Sequence, residues 1–254
     1  MSLRDRWQSD DVLLGGWCGL PSALSAEIIG RAGFDWAGVE MQHGLAWLDQ
    51  MVPMLQGLAI GRTPAFVRVP WNEPWLIMRA LDAGAAGVIV PHVESSDEAA
   101  AAVAACRYPP LGIRSWGPGR AAFGVPDYSA AGANRDVICV VMVETTQGVD
   151  HVEEVASTDG LDGVFIGPAD LSLSGGGLPA MGADAPEHVA RVLKVRDACR
   201  RSGVVAGIYS GDAASTGRWA AEGFRFLALL NDVHHLTAGA AANLKAARAA
   251  VGPT

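Results

Sequence analysis

The sequence predicts a single (β/α)₈ barrel, the TIM-barrel fold, that spans residues 1–254 as one domain. Short apolar segments alternate eight times with longer Ala- and Leu-rich amphipathic segments. Eight strand–helix units in about 250 residues match the size of this barrel. The apolar segments are continuous, as expected for parallel strands that are buried on both faces. A doubly wound open sheet is the structural alternative, but the chain has neither its GxGxxG turn nor a domain linker.

Each predicted strand is a run of apolar, often β-branched residues, and each predicted helix follows one of these runs. In chain order the strands are 12–17, 34–40, 64–69, 86–90, 137–143, 163–166, 204–208 and 226–230. The helices are 21–32, 46–60, 74–83, 95–106, 147–156, 187–202, 212–222 and 233–251. Two long loops interrupt this order, YPPLGIRSWGPGRA and GPADLSLSGGGLPAMGADAP. Long ordered loops in compact domains are usually functional, and we interpret the GGG of the second as a mobile segment beside a site.

The composition restricts the partners that the protein can have. A net charge of −8 disfavours a nucleic-acid partner, which needs a basic surface. The polar opening MSLRDRWQSDD predicts no signal peptide, and no apolar segment is long enough to predict a membrane span. Four widely spaced cysteines, at 18, 106, 139 and 199, are expected to be free thiols in a reducing cytosol. We therefore expect a cytoplasmic protein that binds a small molecule.

Two carboxylates follow neighbouring predicted strands, at the barrel end where TIM-barrel chemistry occurs. Glu144 ends the apolar segment VICVVMVE, and Asp170 follows the next strand in GPADLS. An ionised carboxylate beside an apolar core is costly unless a bound cation or another charge compensates it. With waters and substrate oxygens, the two carboxylates suit Mg²⁺ or Mn²⁺. The alternative is that Glu144 pairs with an arginine and Asp170 caps a helix; their adjacent strands favour the metal site.

Arg68 and His43 also follow predicted strands. Arg68 ends the third strand, where its guanidinium would either bind a substrate carboxylate in bidentate fashion or pair with Glu40 or Glu144. His43 follows the second strand and is a candidate general base, with a surface histidine as the alternative. Asp82, late in the third helix, would either orient His43 or lie at a solvated helix end.

The other aromatic and imidazole side chains carry weaker signals. Trp17 ends the first strand, so we expect it at the barrel mouth, and His92 is expected to be structural. Five further tryptophans are expected to pack in the protein: Trp47, Trp71, Trp75, Trp116 and Trp219. Four histidines are expected to face solvent: His151, His188, His234 and His235.

Several segments between residues 15 and 174 resemble the class II, metal-dependent 2-oxo acid aldolases. The most specific are YPPLGIRSWGPGRA and the combination of VMVETTQG with GPADLS, while FVRVPWNEPW and GVEMQHG extend the likeness. That family includes 4-hydroxy-2-oxoheptanedioate and 2-dehydro-3-deoxyglucarate aldolases and macrophomate-synthase-like enzymes. The resemblance implies a TIM barrel that reversibly cleaves a 4-hydroxy-2-oxo acid into pyruvate, or hydroxypyruvate, and an aldehyde.

The resemblance also implies a role for each candidate residue. Glu144 and Asp170 would bind the divalent metal, which would be Mg²⁺ or Mn²⁺, with Co²⁺ as a further candidate. Arg68 would bind the pyruvate carboxylate and stabilise the enolate, and His43 with Asp82 would form the acid–base dyad. Four residues would surround the 2-oxo acid: Trp17, Gly167, Pro168 and Ala169. A homo-hexamer is implied, with the last helix exchanged between subunits.

The chain departs from the family pattern at two places, and alternatives stay open. Family members often carry Asp-x-Glu-His where Glu40-Met41-Gln42-His43 stands, and a Gln where Met142 stands. Lysines occur only at 194 and 245, in predicted helices, which disfavours a Schiff base. The alternative functions are an oxaloacetate decarboxylase, a citrate-lyase-like acyl-CoA lyase and a non-catalytic protein that binds 2-oxo acids.

Overall fold

Eight parallel strands close into a barrel in which every strand pairs with its neighbours in chain order. The computed structural model describes residues 2–179 and 185–252. The strands are β1 (Leu13–Cys18), β2 (Trp36–Glu40), β3 (Ala65–Arg68), β4 (Gly87–Val90), β5 (Ile138–Val143), β6 (Gly163–Ile166), β7 (Val205–Tyr209) and β8 (Phe226–Asn231). Each strand ends within two residues of its predicted bounds. The predicted TIM barrel is confirmed.

The predicted helices are all present, and several short ones accompany them. The helices are α1 (Leu3–Gln8), α2 (Ala23–Arg31), α3 (Leu48–Ile60), α4 (Pro74–Asp82), α5 (Ser96–Cys106), α6 (Ala130–Asp136), α7 (Thr146–Asp150), α8 (Val152–Ala156), α9 (Pro168–Ser174), α10 (Pro186–Ser202), α11 (Ala213–Ala221) and α12 (Asp232–Val251). The helix predicted over 147–156 is two helices, α7 and α8, which meet at His151. The second predicted loop opens with α9, and part of it lies outside the described residues.

Aromatic side chains fill the inside of the barrel. Trp36 and Phe226 stack with their ring centroids 3.8 Å apart, and Phe66 and Phe165 pack around them. Gly15 provides the space for this cluster, because a Cβ atom there would lie 2.1 Å from the Trp36 indole. The barrel interior is therefore a packed core, and a substrate can enter only above it.

The short helix α1 covers the amino-terminal end of the barrel and was not predicted. Its Trp7 packs edge-on against Phe226, with ring centroids 4.8 Å apart, and donates a hydrogen bond from Nε1 to the Asp162 carbonyl oxygen at 3.1 Å. The Asp162 carboxylate pairs with Arg4 from the same helix and with Arg107. Six residues with few apolar positions give no helical periodicity, so this element was not evident from the sequence.

Some surface predictions are wrong. Trp47, Trp71, Trp75 and Trp116 are exposed, whereas Trp219 is buried as predicted. His188, predicted to face solvent, is only 4% exposed, and burial lowers its pKa. The exposure of these side chains depends on contacts between helices, strands and loops that are distant in sequence, and local sequence patterns do not report such contacts. The four cysteines are free and buried, as expected. Among the described residues, no helix combines the length and hydropathy of a membrane span.

Candidate active site

A cavity of about 400 Å³ opens at the carboxyl-terminal ends of the strands. Seven residues singled out from the sequence line it: Trp17, His43, Arg68, Gly167, Pro168, Ala169 and Asp170. An eighth, Glu144, lies behind Gly167 with 1% of its side chain exposed. The barrel thus brings together every predicted site residue except Asp82. Trp17 is 2% exposed and packs on Trp36, so it forms the inner end of the cavity rather than a cover over it.

Glu144 carries a buried oxygen that has no partner in the described part of the chain. Its Oε1 accepts the backbone N–H of His92 at 2.9 Å, while its Oε2 is buried without a hydrogen bond. Burial raises the pKa of Glu144, and the charge of Asp170 acts in the same direction. A buried, ionised carboxylate with an unpaired oxygen is stabilised by a nearby cation. Arg68 and His92 lower the pKa of Glu144, but they leave Oε2 without a partner.

Gly167 leaves the space that this carboxylate occupies. A Cβ atom at Gly167 would lie 2.5 Å from Glu144 Oε2, so a larger residue would displace the carboxylate. Asp170 follows in the first turn of α9 and lines the cavity. Two carboxylates and an open cavity fit a hard divalent cation whose other ligands are water and substrate oxygens. Within residues 2–179 and 185–252, no cluster of three or more His, Cys, Asp or Glu side chains surrounds a common centre.

His92 holds Glu144 through its backbone. The residue adopts a left-handed conformation with a φ of 54°, which is uncommon for a side chain other than glycine. That conformation directs its N–H at Glu144, while its imidazole stacks on Trp71 with ring centroids 5.2 Å apart. The predicted structural role of His92 is consistent with this geometry.

Glu40 joins three of the site residues, although from the sequence it was considered only as a partner for Arg68. Its Oε2 accepts Trp17 Nε1 at 2.7 Å and Arg68 Nε at 2.6 Å. Its Oε1 accepts the backbone N–H groups of Gln42 at 2.7 Å and His43 at 2.9 Å. Glu40 is 3% exposed, and four N–H groups of the described residues donate hydrogen bonds to its carboxylate. Glu40 therefore positions the arginine, the indole and the loop that carries the histidine.

Arg68 keeps one edge of its guanidinium towards the cavity. Its Nε and Nη2 bind Glu40, so the salt bridge considered as the alternative role is present. Among the described residues, its Nη1 contacts only the Met142 sulfur, at the long distance of 3.8 Å. The guanidinium carbon lies 5.4 Å from the centre of the Trp17 ring. Arg68 is thus fixed by Glu40 and still presents donors to a ligand.

The chain does not bring Asp82 to His43. His43 is exposed at the mouth, and its ring makes no hydrogen bond with the described residues. Asp82 is the last residue of α4 and accepts a hydrogen bond from Arg114 Nη2 at 2.8 Å. A helix that follows a barrel strand runs back along it, so its end lies at the amino-terminal end of the barrel. An Asp82–His43 pair would therefore require two copies of the chain.

The cavity also contains residues that sequence reasoning did not select. They are Gly19, Glu40, Gly44, Leu45, Met142, Phe165, Tyr209, Asn231 and Val233. Tyr209 and Asn231 directly follow the apolar segments of β7 and β8, where barrel chemistry is expected. Glu40 ends a buried strand just as Glu144 does. The rule that selected Glu144 also places these three residues at the barrel mouth, but it does not assign them a role.

The chain matches the HpcH/HpaI aldolase/citrate lyase family over residues 14–238. A hydroxypyruvate/pyruvate aldolase of Rhizorhabdus wittichii is 36% identical over 247 residues, which cover 97% of this chain and 98% of that protein. A 5-keto-4-deoxy-D-glucarate aldolase of Klebsiella pneumoniae is 38% identical over 225 residues, which cover 87% of each. The crystal structure of an HpcH/HpaI aldolase/citrate lyase family protein from Burkholderia cenocepacia gives a TM-score of 0.89 at 36% identity, and covers 97% of this chain and 98% of that one.

These likenesses and the cavity at the barrel mouth define a carbon–carbon lyase of the aldolase type. The chain belongs to the HpcH/HpaI aldolase/citrate lyase family. The resemblance predicted from its motifs is thereby confirmed.

Proposed function

We propose that this aldolase reversibly cleaves 4-hydroxy-2-oxo acids into pyruvate or hydroxypyruvate and an aldehyde. The observation that carries the proposal is the unpartnered, buried Glu144 oxygen beside Asp170, in a cavity that Arg68 also lines. A 2-oxo acid offers two oxygens to a cation and a carboxylate to a guanidinium. The names of the relatives from Rhizorhabdus and Klebsiella support an oxo-acid aldolase.

Glu144 and Asp170 are the residues that would hold a divalent cation, and Mg²⁺ or Mn²⁺ suits their oxygens best. When bound, such a cation supplies Lewis acidity to the oxygens of the 2-oxo acid. His92 and Gly167 contribute by fixing the Glu144 carboxylate, through a backbone hydrogen bond and through the space beside Oε2. Co²⁺ is a further candidate.

Arg68 would bind the 2-oxo acid and stabilise the negative charge that develops as the carbon–carbon bond breaks. Arg68 lines the cavity, and Glu40 binds its Nε and Nη2 but not its Nη1, so Nη1 is a donor that needs no reorganisation during the reaction. Gly167, Pro168 and Ala169 also line the cavity, and their backbone would form a wall beside the 2-oxo acid. The substrate is thereby held between β3 and β6.

His43 would move the proton of the aldol hydroxyl. It lies in the cavity on the loop that Glu40 fixes, and its ring is accessible. Asp82 would assist only from a second copy of the chain, because its own copy places it at the other end of the barrel. Lys194 and Lys245 lie in α10 and α12 rather than at strand ends, so the chain offers no lysine for a Schiff base.

Exchange of the pyruvate methyl protons with D₂O, followed by NMR, tests the proposal. We expect exchange that requires a divalent cation and falls by about 10²-fold or more in His43→Ala, since a positioned base contributes at least this much. The exposed His151→Ala variant is the matched control and should exchange at the wild-type rate. Cleavage of 4-hydroxy-2-oxo acids must accompany exchange. Absence of both exchange and cleavage would favour a binding protein, and pyruvate formed from oxaloacetate alone would favour a decarboxylase; either result would contradict an aldolase.

We also propose that α12 packs against a second copy of the chain, in the hexamer that the family resemblance implies. Only Asp232 of this 20-residue helix is buried, while Leu236, Leu244 and Val251 are exposed. A Leu236→Glu/Leu244→Glu variant should therefore lower the molar mass measured by light scattering. The exposed loop variant Leu178→Glu should keep the wild-type mass, and an unchanged mass in the α12 variant would count against the proposal.

We also propose a cytoplasmic location, with which the four free thiols are consistent.

A further inference from the structure

We propose that Tyr209 selects substrates that carry a hydroxyl group on the carbon next to the reacting carbonyl. The inference rests on the proposed aldolase function and names the chemical class of substrate that the site prefers. Tyr209 ends β7 and lines the cavity together with Asn231, which ends β8. The residues proposed to bind the cation and the 2-oxo acid and to move the proton lie at or just after the ends of β2, β3, β5 and β6, so Tyr209 and Asn231 form a separate side of the cavity.

The position of Tyr209 follows from the order of the strands. In a closed barrel of eight strands, β7 lies opposite β3, so Tyr209 faces Arg68 across the mouth. Consistent with this, the charge of Arg68 opposes the effect of burial, which raises the pKa of the Tyr209 phenol. A 2-oxo acid whose carboxylate is bound by Arg68, at the end of β3, would extend its remaining carbons across the mouth towards the opposite strands, β7 and β8. Tyr209 and Asn231 therefore meet the substituents of the reacting carbons rather than the carboxylate.

The Tyr209 hydroxyl has a proton to donate. Within the described residues, no acceptor is hydrogen-bonded to the proton of this hydroxyl group, so the proton is left for a ligand. Burial raises the pKa of Tyr209 to about 12, so the phenol stays protonated at neutral pH. The Trp17 ring packs edge-on against the Tyr209 ring, with centroids 5.7 Å apart, which limits its movement. The result is a donor whose position is fixed beside the Trp17 ring.

Asn231 provides a second donor beside it. Its Oδ1 accepts the backbone N–H of His234 at 3.0 Å and so caps α12. Its Nδ2 lies 3.7 Å from the position that a Cβ atom would occupy at Gly19, and both residues line the cavity. The Nδ2 makes no hydrogen bond within the described ranges. Two donors that share one wall suit a hydroxyl oxygen as their acceptor.

A ligand without a hydroxyl group would displace water from the phenol and leave this donor without a partner. Desolvation of an unpaired donor costs more than the net gain from pairing it, so the site discriminates against the deoxy ligand. Because the cavity is open to water, we expect a preference of about tenfold rather than the larger factors of fully closed sites. Two sources could supply the hydroxyl group: carbon 3 of hydroxypyruvate, or carbon 2 of an α-hydroxy aldehyde.

The test is a set of four aldol additions by the metal-loaded enzyme, in which pyruvate and hydroxypyruvate are each combined with glycolaldehyde and acetaldehyde. In Tyr209→Phe we expect kcat/KM for the hydroxylated partner to fall by about tenfold. We expect the reaction of pyruvate with acetaldehyde to change by less than about threefold, since it makes no bond to the phenol. Loss of the preference for hydroxypyruvate over pyruvate would place the hydroxyl group on the 2-oxo acid. Loss of the preference for glycolaldehyde over acetaldehyde would place it on the aldehyde. Asn231→Ser, which keeps an N-capping side chain, should shift the same ratio in the same direction.

Tyr128→Phe is the matched control, because its hydroxyl lies outside this cavity and contacts Tyr108. It should leave both selectivity ratios unchanged. Ratios in Tyr209→Phe that stay within about twofold of wild type, or an equal loss in all four reactions, would overturn the role of Tyr209. Absence of carbon–carbon bond formation by the wild-type enzyme in all four reactions would instead overturn the proposed function, and this inference with it.

Discussion

Replacing Glu144 with glutamine should lower kcat/KM for aldol cleavage by about 10³-fold, the scale of losing a preorganised charge-stabilising group. Glutamine preserves the size of the side chain and its hydrogen bond from the His92 backbone, so the loss would report the missing charge. Steady-state kinetics at saturating Mn²⁺ measure the effect. Turnover that a higher Mn²⁺ concentration restores would indicate weakened binding of the cation.

The same variant should not be less stable than the wild-type protein when no divalent cation is present. Burial raises the pKa of Glu144 in the folded state, so ionisation of this group destabilises the fold. Any stability that Glu144 contributes is present at a pH below its pKa in the unfolded chain. That stability is lost as the pH rises through its pKa in the folded protein. Denaturant unfolding in EDTA should therefore show the larger advantage for Glu144→Gln at about pH 8 rather than about pH 4. An advantage that is larger at low pH would contradict this assignment.

Replacing Glu40 with glutamine should lower kcat/KM by about 10²-fold, at the upper end of the range for a residue that orients catalytic groups. The carboxylate accepts hydrogen bonds from Trp17, Arg68 and the loop that carries His43. An amide nitrogen cannot accept, so either the guanidinium or the loop would lose its partner. The unfolding free energy should also fall by about 3 kcal/mol, because the Arg68 charge would be left without its buried partner.

Glu27→Gln is the matched control for Glu40. Glu27 also pairs with an arginine, Arg31, at 2.8 Å, but on the exposed surface of α2. It should leave kcat/KM unchanged and alter the unfolding free energy by about 0.5 kcal/mol or less. If Glu40→Gln behaved like Glu27→Gln in both assays, Glu40 would not have the positioning role that the geometry indicates.

The fold was predictable because its determinants are local. Continuous apolar segments such as VICVVMVE can be stable only between two covered faces, and eight of them with intervening helices leave few alternatives to a closed barrel. The positions of Glu144, Asp170 and Arg68 followed from the same logic, since residues after parallel strands meet at one end of a sheet. Residues that share a barrel mouth could therefore be predicted without any knowledge of side-chain contacts.

What could not be predicted depends on contacts between distant parts of the chain. The hydrogen bonds of Glu40 depend on side chains from three strands, and the role of α1 depends on Trp7 meeting Phe226, more than two hundred residues away in sequence. The position of Asp82 depends on the direction of α4 relative to its strand. Periodicity reports which face of an element is apolar, but it does not report which side chain meets which.

The central claim is that Glu144 and Asp170 together hold a divalent cation, and the most direct measurement is a Mn²⁺ titration followed by electron paramagnetic resonance. The wild-type chain should bind a single Mn²⁺ ion, and a Glu144→Gln/Asp170→Asn variant should bind none over the same concentration range. Binding by the double variant with the stoichiometry and affinity of the wild-type chain would contradict the claim.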